Sequence, residues 1–336
     1  MRCAERVRNR IESSPALGGL YARLGVLPGY RGLVMRQVER AIAEVRSTRR
    51  YPLMIETSSA CNARCLFCPN RAMTRKRGLM TNETFGIVLD RLRSEALAPP
   101  VIDLFDVGEP LLDPSLFTRV RALKAAFPDA SVRFTTNFSL GDEEVVDEVL
   151  DSGLDSIHIS VNAASRESYA RIMGLGWDTT VRNVDRLIAR RNERGGRLRI
   201  VVCMVVCPEN AGEVSAFARR WSRSADALLL QRAVDWGGEV GVASRYPAAT
   251  RLYPCRDLFE RIVVLNNGEV ALCCQDANGI VNLNARDLPL LQIFESAVFA
   301  RYRRAHLSDD IASVRLCRNC FGVHSNGANW LFGRVG

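Results

Sequence analysis

From residue 51 onward, short β-branched or apolar runs alternate with longer amphipathic stretches, and few folds accommodate that rhythm. The strand candidates are LMIETS (53–58), VIDLFDV (101–107), SVRFTTN (131–137), SIHISVN (156–162), RIVVCMVV (199–206) and ALLLQ (227–231). Between them NETFGIVLDRLRSEA, SLFTRVRALKAAF, EEVVDEVLDSG, VRNVDRLIARRNE and NAGEVSAFARRWS carry apolar residues at helical spacing. Six β–α units in succession predict an α/β fold with a parallel sheet curling toward a barrel, helices outside. Loops at the strand C-termini then carry function. Closure needs eight units, so the expectation is a partial (β/α)6 TIM-like barrel.

The flanks read differently. Residues 1–50 form a helical N-terminal extension, with helical spacing in LGGLYARLGVL and LVMRQVERAIAEV. Its apolar face with interspersed Arg suits packing beneath the barrel, dimerisation or a membrane surface. The barrel is assigned to 51–245, and 246–336 to a small C-terminal domain. There RIVVLNNGEVALCC predicts a hairpin around Asn-Gly, followed by a helix near 288–307, the pair CRNC and a Gly/Asn-rich tail.

Apolar residues are 47% of the chain and charged residues 25%, enough for an ordinary core. No apolar run reaches the roughly 18 residues that span a bilayer. The opening MRCAERVRNRIESS lacks an apolar core for a secretory signal, so a cytoplasmic location is expected. Eleven cysteines stay reduced there, which points to metal or catalysis rather than disulfides. The net charge of +9 is spread along the chain and aromatics are only 7%, so no nucleic-acid partner is expected. Phosphorylated or carboxylated substrates remain compatible with it.

The loop after the first strand reads CNARCLFC, placing Cys61, Cys65 and Cys68 together at the mouth of the barrel. Thiolates bind soft metals, but a structural zinc site closes with four ligands. Three thiolates among polar neighbours (Asn62, Arg64, Asn70) suit a 4Fe–4S cluster with one open iron better than a packed core.

This spacing, with Phe67 as the aromatic member, resembles the CxxxCxφC motif of the radical S-adenosylmethionine (SAM) superfamily. The resemblance implies that the three Cys hold a 4Fe–4S cluster and that SAM chelates the fourth iron through its amino and carboxylate groups. Reductive cleavage of SAM would then give a 5′-deoxyadenosyl radical that abstracts hydrogen from substrate. DVGEPLLDP resembles the family's GGEP motif through Gly108, Glu109 and Pro110, with Val107 in place of the first Gly. Glu109 would accept from the SAM amino group. Asn137 ends the third strand like the TNG motif, and Ser160 and Asn162 end the fourth, where relatives contact SAM. The stretch YARIMG has Met173 where relatives often carry Arg, leaving Arg171 as the substitute carboxylate contact. Read singly, Glu109 is a loop carboxylate and Ser160 and Asn162 are strand-end caps; their coincidence at successive strand ends raises them.

Four further cysteines fall as Cys255-x17-Cys273 and Cys317-x2-Cys320, with Gly268 inside the first interval. Spacing alone also fits a zinc ribbon. Behind a radical SAM barrel the pattern resembles the SPASM/twitch extension, and implies one auxiliary 4Fe–4S cluster with all four irons ligated. It is similar to the twitch-type dehydrogenases that oxidise an aminocyclitol alcohol.

Cys274 is left over beside a proposed ligand, either as a hydrogen-atom donor to a substrate radical or as a packed core thiol. Asp276 reads as a general base or as the carboxylate of an Asx turn, with Gln275 beside it. Cys203, Cys207 and His158 read as packing residues, Cys3 as incidental, and Arg232 and Asp235 as substrate-side groups.

The leading expectation is a radical SAM oxidoreductase that dehydrogenates a small polar molecule, such as a sugar or aminocyclitol, with the auxiliary cluster accepting an electron. Epimerisation with Cys274 as donor is the first alternative, and ribosomal-peptide maturation the second. A zinc-stabilised binding module is the reading from outside enzymology. The resemblance also implies a flavodoxin- or ferredoxin-like reductant.

Overall fold

β-Branched and apolar residues form six parallel strands where the rhythm places them. They are β1 (Leu53–Ile55), β2 (Val101–Asp103), β3 (Ser131–Thr136), β4 (Ser156–Ser160), β5 (Arg199–Val206) and β6 (Ala227–Arg232). The computed structural model describes residues 29–241, 252–318, 320 and 323. The domain boundary expected near 245, the stretch LGGLYARLGVL and Cys3 lie outside them.

The six strands neighbour one another in chain order, and the sheet continues beyond β1. The predicted hairpin is β7 (Ile262–Val264) and β8 (Val270–Ala271), and β7 pairs in parallel with β1, Met54 opposite Val263. The full order is β6-β5-β4-β3-β2-β1-β7-β8. The hairpin therefore extends the barrel sheet. It delivers the second cysteine group beside the strand that leads into the first.

The helices follow from capped amphipathic segments. In α1 (Tyr30–Thr48) Val34 and Val38 are buried. In α2 (Asn82–Ser94) the Thr81 hydroxyl accepts from Thr84 N, and Phe85, Val88 and Leu92 face the core. Next come α3 (Leu116–Ala126) and α4 (Glu143–Asp151), the latter capped by Asp142. The segment after β4 holds an unforeseen helix, α5 (Arg166–Met173), ended by left-handed Gly174. It precedes α6 (Trp177–Glu193) and, after β5, α7 (Val214–Trp221). Short α8 (Asp257–Glu260) leads into β7. The single helix expected near 288–307 is two, α9 (Leu290–Phe294) and α10 (Ala297–Leu307), because Ser296 is extended between them.

Helix α1 packs against the C-terminal segment. Arg46 pairs with Glu295 at 2.9 Å, Arg31 with Asp309 at 3.0 Å, and Tyr30 meets Tyr253 edge-on at 5.9 Å. Among the described residues no helix is long and apolar enough to cross a membrane.

Strand alternation divides the sheet into two faces. Leu53, Ile55, Ile102, Val132, Phe134, Ile157 and Ile159 join the helix-covered core. Met54 belongs to a separate inner cluster with Val263, Leu265 and Ala271, against which Phe105 and Cys274 pack. The inner face also carries polar groups, beside the buried Val201 and Cys203 of β5. Asp103 on β2 is bonded to Arg133 on β3 and, at 2.8 Å, to Arg261, while the buried His158 lies on β4.

Candidate active site at the strand C-termini

The loop carrying Cys61, Cys65 and Cys68 is held from three sides. Arg64 N and Leu66 N donate to the carbonyls of Met173 (2.8 Å) and Ile172 (3.1 Å) at the end of α5. Asn62 accepts from Asn137 Nδ2 at 2.8 Å and donates to Ser139 Oγ at 2.9 Å. Asn70 Nδ2 bridges Ser59 O and Val107 O, and Trp236 Nε1 donates to Phe67 O at 3.1 Å. Burial pushes Cys61 up to about 11, Cys68 to about 12 and Cys65 well above an ordinary thiol, with neighbouring thiols adding to the rise for Cys65 and Cys68. Three half-buried thiols crowded this way become thiolates when a cation arrives, releasing protons as they bind.

The loop after β2 comes closest to this one. A Cβ on Gly108 would stand 1.9 Å from Ser58 O and 2.8 Å from Ser59 Cα. Only glycine lets the two backbones approach so closely. The next residue, Glu109, donates its N–H to Ala60 O at 2.8 Å. Its buried carboxylate accepts from Thr136 Oγ1 (2.6 Å), Asn137 N (2.8 Å) and Leu111 N (3.1 Å). Burial outweighs those bonds and raises it to about 7. Pro110 is buried in the turn that follows.

Other expected residues stand less favourably. Arg171 is exposed on α5 and donates to Glu209 O at 3.2 Å, so the structure does not bring it to the cysteine loop. Met173 is there instead, its sulfur 3.4 Å from Cys65 Sγ and 3.1 Å from Asn162 Nδ2. Asn162 is left-handed (φ 59°), and its Oδ1 accepts from Val205 N at 2.7 Å, so its side chain is committed to β5. Ser160 is half-buried at the end of β4, and Phe67 sits in the helix-covered core. Cys203 and Cys207 are buried, as packing predicts. Arg232 is exposed at the end of β6, with Asp235 in the following turn.

The second group assembles beside the hairpin. Burial raises the pKa of Cys255, Cys273 and Cys317, and the nearby Cys320 adds to the rise in each, behind Asp257 for Cys255 and Cys274 for Cys273. Cys317 is buried among Ile311, Val314 and Val323, with Cys255 and Cys320 packed against it. Gln275 N donates to Cys273 Sγ at 3.4 Å. His306 on α10, missed in the sequence because it lies outside any cysteine motif, touches both ends of the group. Among the described residues no three His, Cys, Asp or Glu converge tightly enough around a single metal ion.

Cys274 follows Cys273 just past β8 and adds to the rise in the pKa of both Cys273 and Cys255. Cys274 packs on the inner cluster, its thiol 3.6 Å from Asp257 Oδ2, and burial followed by Asp257 keeps it protonated. Asp276 takes the arrangement of the Asx-turn reading. Its oxygens accept from Leu272 N (2.9 Å), Gly279 N (3.0 Å) and Ile280 N (3.0 Å), closing the turn after β8. A carboxylate not singled out in the sequence lies near it. Asp106 Oδ2 is buried without a hydrogen-bond partner among the described residues, and burial, with Glu56 beside it, holds the carboxyl well above the usual carboxylate range. Its position just ahead of the GEP turn was the available signal. Arg75, on the segment after the cysteine loop, ties that segment to the hairpin through Glu56 and Asn266 (both 2.6 Å) and Ala277 O (2.5 Å).

The family model for the radical SAM superfamily matches residues 55–220, and that for an iron–sulfur cluster-binding domain, SPASM, matches 255–321. The chain belongs to the radical SAM superfamily. Its cofactors are accordingly SAM with a 4Fe–4S cluster in the barrel and an auxiliary iron–sulfur centre in the SPASM domain. An uncharacterized protein of Methanocaldococcus jannaschii is 27% identical over 199 residues, covering 57% of this chain and 60% of that protein. The structure of BtrN in complex with AdoMet and 2-DOIA matches with a TM-score of 0.55 at 17% identity, over 81% of this chain and 93% of BtrN. Streptococcus suis SuiB bound to precursor peptide SuiA matches with a TM-score of 0.59 at 16% identity, over 82% of this chain and 72% of SuiB. At such identities these likenesses speak to the fold. The chain spans 60%, 40% and 50% of the three curated relatives it matches.

Proposed function

We propose that this radical SAM protein abstracts a hydrogen atom from a carbinol or amine carbon of a small polar molecule and returns one from Cys274, inverting the carbon. The position of Cys274 carries the reading: its thiol packs on the inner face of the sheet beside Met54 and Phe105, away from the helix-covered core. A polar substrate suits the rest of that face, with Asp103, Arg133 and His158 below and Asp106 nearer the mouth.

Cys61, Cys65 and Cys68 would hold the cluster that, with SAM, supplies a 5′-deoxyadenosyl radical. Glu109 would accept from the SAM ammonium. Glu109→Gln keeps the turn but removes the charge, and weakens SAM binding by about 2 kcal/mol or more, roughly 30-fold. Equilibrium dialysis against SAM measures this, and unchanged affinity excludes the assignment.

SAM with the barrel cluster would supply the radical that takes H• from the substrate, and the Cys274 S–H would return H• to the other face. The thiyl left on Cys274 would need one proton and one electron, which the auxiliary centre would supply from a low-potential reductant. Dehydrogenation is the second reading, favoured by Asp106. There Asp106, once ionised, would accept the hydroxyl proton, and the auxiliary centre would supply the electron acceptor that ketone formation needs.

Incubating the reduced protein with SAM and a panel of aminocyclitols and sugars in D2O separates the two. The thiol exchanges with solvent, so inverted product carries deuterium, and Cys274→Ala consumes SAM without releasing that product. A ketone that survives Cys274→Ala and disappears in Asp106→Asn establishes dehydrogenation instead. No 5′-deoxyadenosine under any condition sinks both.

A further inference from the structure

We infer that His306 donates a hydrogen bond from Nε2 to the Cys317 sulfur and so raises the reduction potential of the auxiliary cluster. This rests on Cys255, Cys273, Cys317 and Cys320 being that cluster's ligands.

The tautomer follows from the partners. His306 is fully buried on α10, and its Nδ1 lies 3.1 Å from Cys255 N. A backbone N–H can only donate, so Nδ1 accepts and the ring proton sits on Nε2. Nε2 is 3.4 Å from Cys317 Sγ, within reach of an N–H···S bond. Phe259 stands edge-on to the ring at 6.3 Å and 70°, and the neighbouring helical residue Arg303 donates to Leu258 O at 3.1 Å. The imidazole thus fastens the Cys255 backbone to the Cys317 side chain, which arrive from opposite ends of the SPASM segment. Groups beyond the ligands commonly fix both geometry and electronics in this way.

A donor on a ligating sulfur withdraws negative charge. The reduced cluster carries one more electron than the oxidised one, so it gains more from the bond and the potential rises. The Gln275 N–H on Cys273 Sγ acts in the same sense but belongs to the backbone, which leaves His306 as the side chain that can be varied. The electron passes through this centre in either reading of the reaction, so its driving force depends on the imidazole.

The test uses the Cys61/Cys65/Cys68→Ala chain, in which the auxiliary cluster is the one remaining iron centre, with a redox titration followed by EPR. His306→Leu is expected to lower the potential enough to shift the reduced-to-oxidised ratio about tenfold at fixed poise, about 59 mV for one electron. His306→Gln, which keeps an N–H donor, is expected to recover most of the shift. A leucine variant with full iron and unchanged potential overturns the inference. Should that variant fail to hold its cluster, the His306-containing chain decides. With 15N-histidine, the reduced cluster should show a weak nitrogen coupling and an exchangeable proton that disappears in D2O. Absence of both, or the strong coupling of a directly ligating nitrogen, overturns it. A background chain without four irons removes the ligand assignment and the inference together, and the iron count distinguishes that case.

Discussion

Replacing Cys61, Cys65 and Cys68 with alanine lowers the iron content of the anaerobically reconstituted protein from about eight to about four per chain, and abolishes 5′-deoxyadenosine formation. The halving follows from separation. The first three thiols sit on the loop between β1 and α2, and the other four flank the β7–β8 hairpin, so neither set can stand in for the other. The loop itself should survive the change. Its backbone is anchored on the Met173 and Ile172 carbonyls and its Asn side chains on Ser59, Val107 and Asn137, none of which involves a thiol. The triple variant therefore keeps its fold and its second cluster while losing the chemistry. Iron and sulfide analysis beside a deoxyadenosine assay reads both outcomes. Zinc in place of the residual iron would make the SPASM thiols a structural metal site, and continued SAM cleavage would place the reactive cluster elsewhere.

Much of this was legible in the sequence because it rests on local patterns. Period-two runs set the six strands, and the barrel topology then placed CNARCLFC, GEP and Asn137 at adjacent strand ends. What escaped depends on tertiary geometry. That β7 would join β1 cannot be read from IVV, since a three-residue apolar run fits either edge of a sheet or a hairpin of its own. The side on which Cys274 falls depends on that same pairing. Asp276 was half legible: DANG is a turn signal, and the structure shows both carboxylate oxygens used to close the turn. Arg171 is the nearest Arg in sequence to the one that Met173 replaces, but helical spacing turns it about 160° from Met173 in projection, toward Glu209. Asp106 and His306 carry no motif. Their roles follow from where the inner face and α10 bring them.

The same substitution, Gly→Ala, should have opposite effects at two positions twenty-two residues apart in the barrel, Gly86 and Gly108. Gly86 lies inside α2 with nothing within 4 Å of a new Cβ, so alanine there removes backbone freedom from the unfolded chain and stabilises by about 0.5–1 kcal/mol. At Gly108 the new methyl would overlap Ser58 O at 1.9 Å, and the obstacle is backbone that cannot rotate away. The loops after β1 and β2 must separate. That costs about 3 kcal/mol or more, at the upper end for overpacked sites, and lowers the melting midpoint by roughly 5 °C or more. Separation also breaks the Glu109 N–H to Ala60 O bond that holds the carboxylate beside the cysteine loop. SAM affinity should therefore fall together with stability at Gly108, whereas Gly86→Ala leaves it unchanged. A Gly108→Ala protein that melts lower yet binds SAM as wild type does would show that the close approach serves packing alone. One that changes neither property would show that the two backbones do not approach this closely.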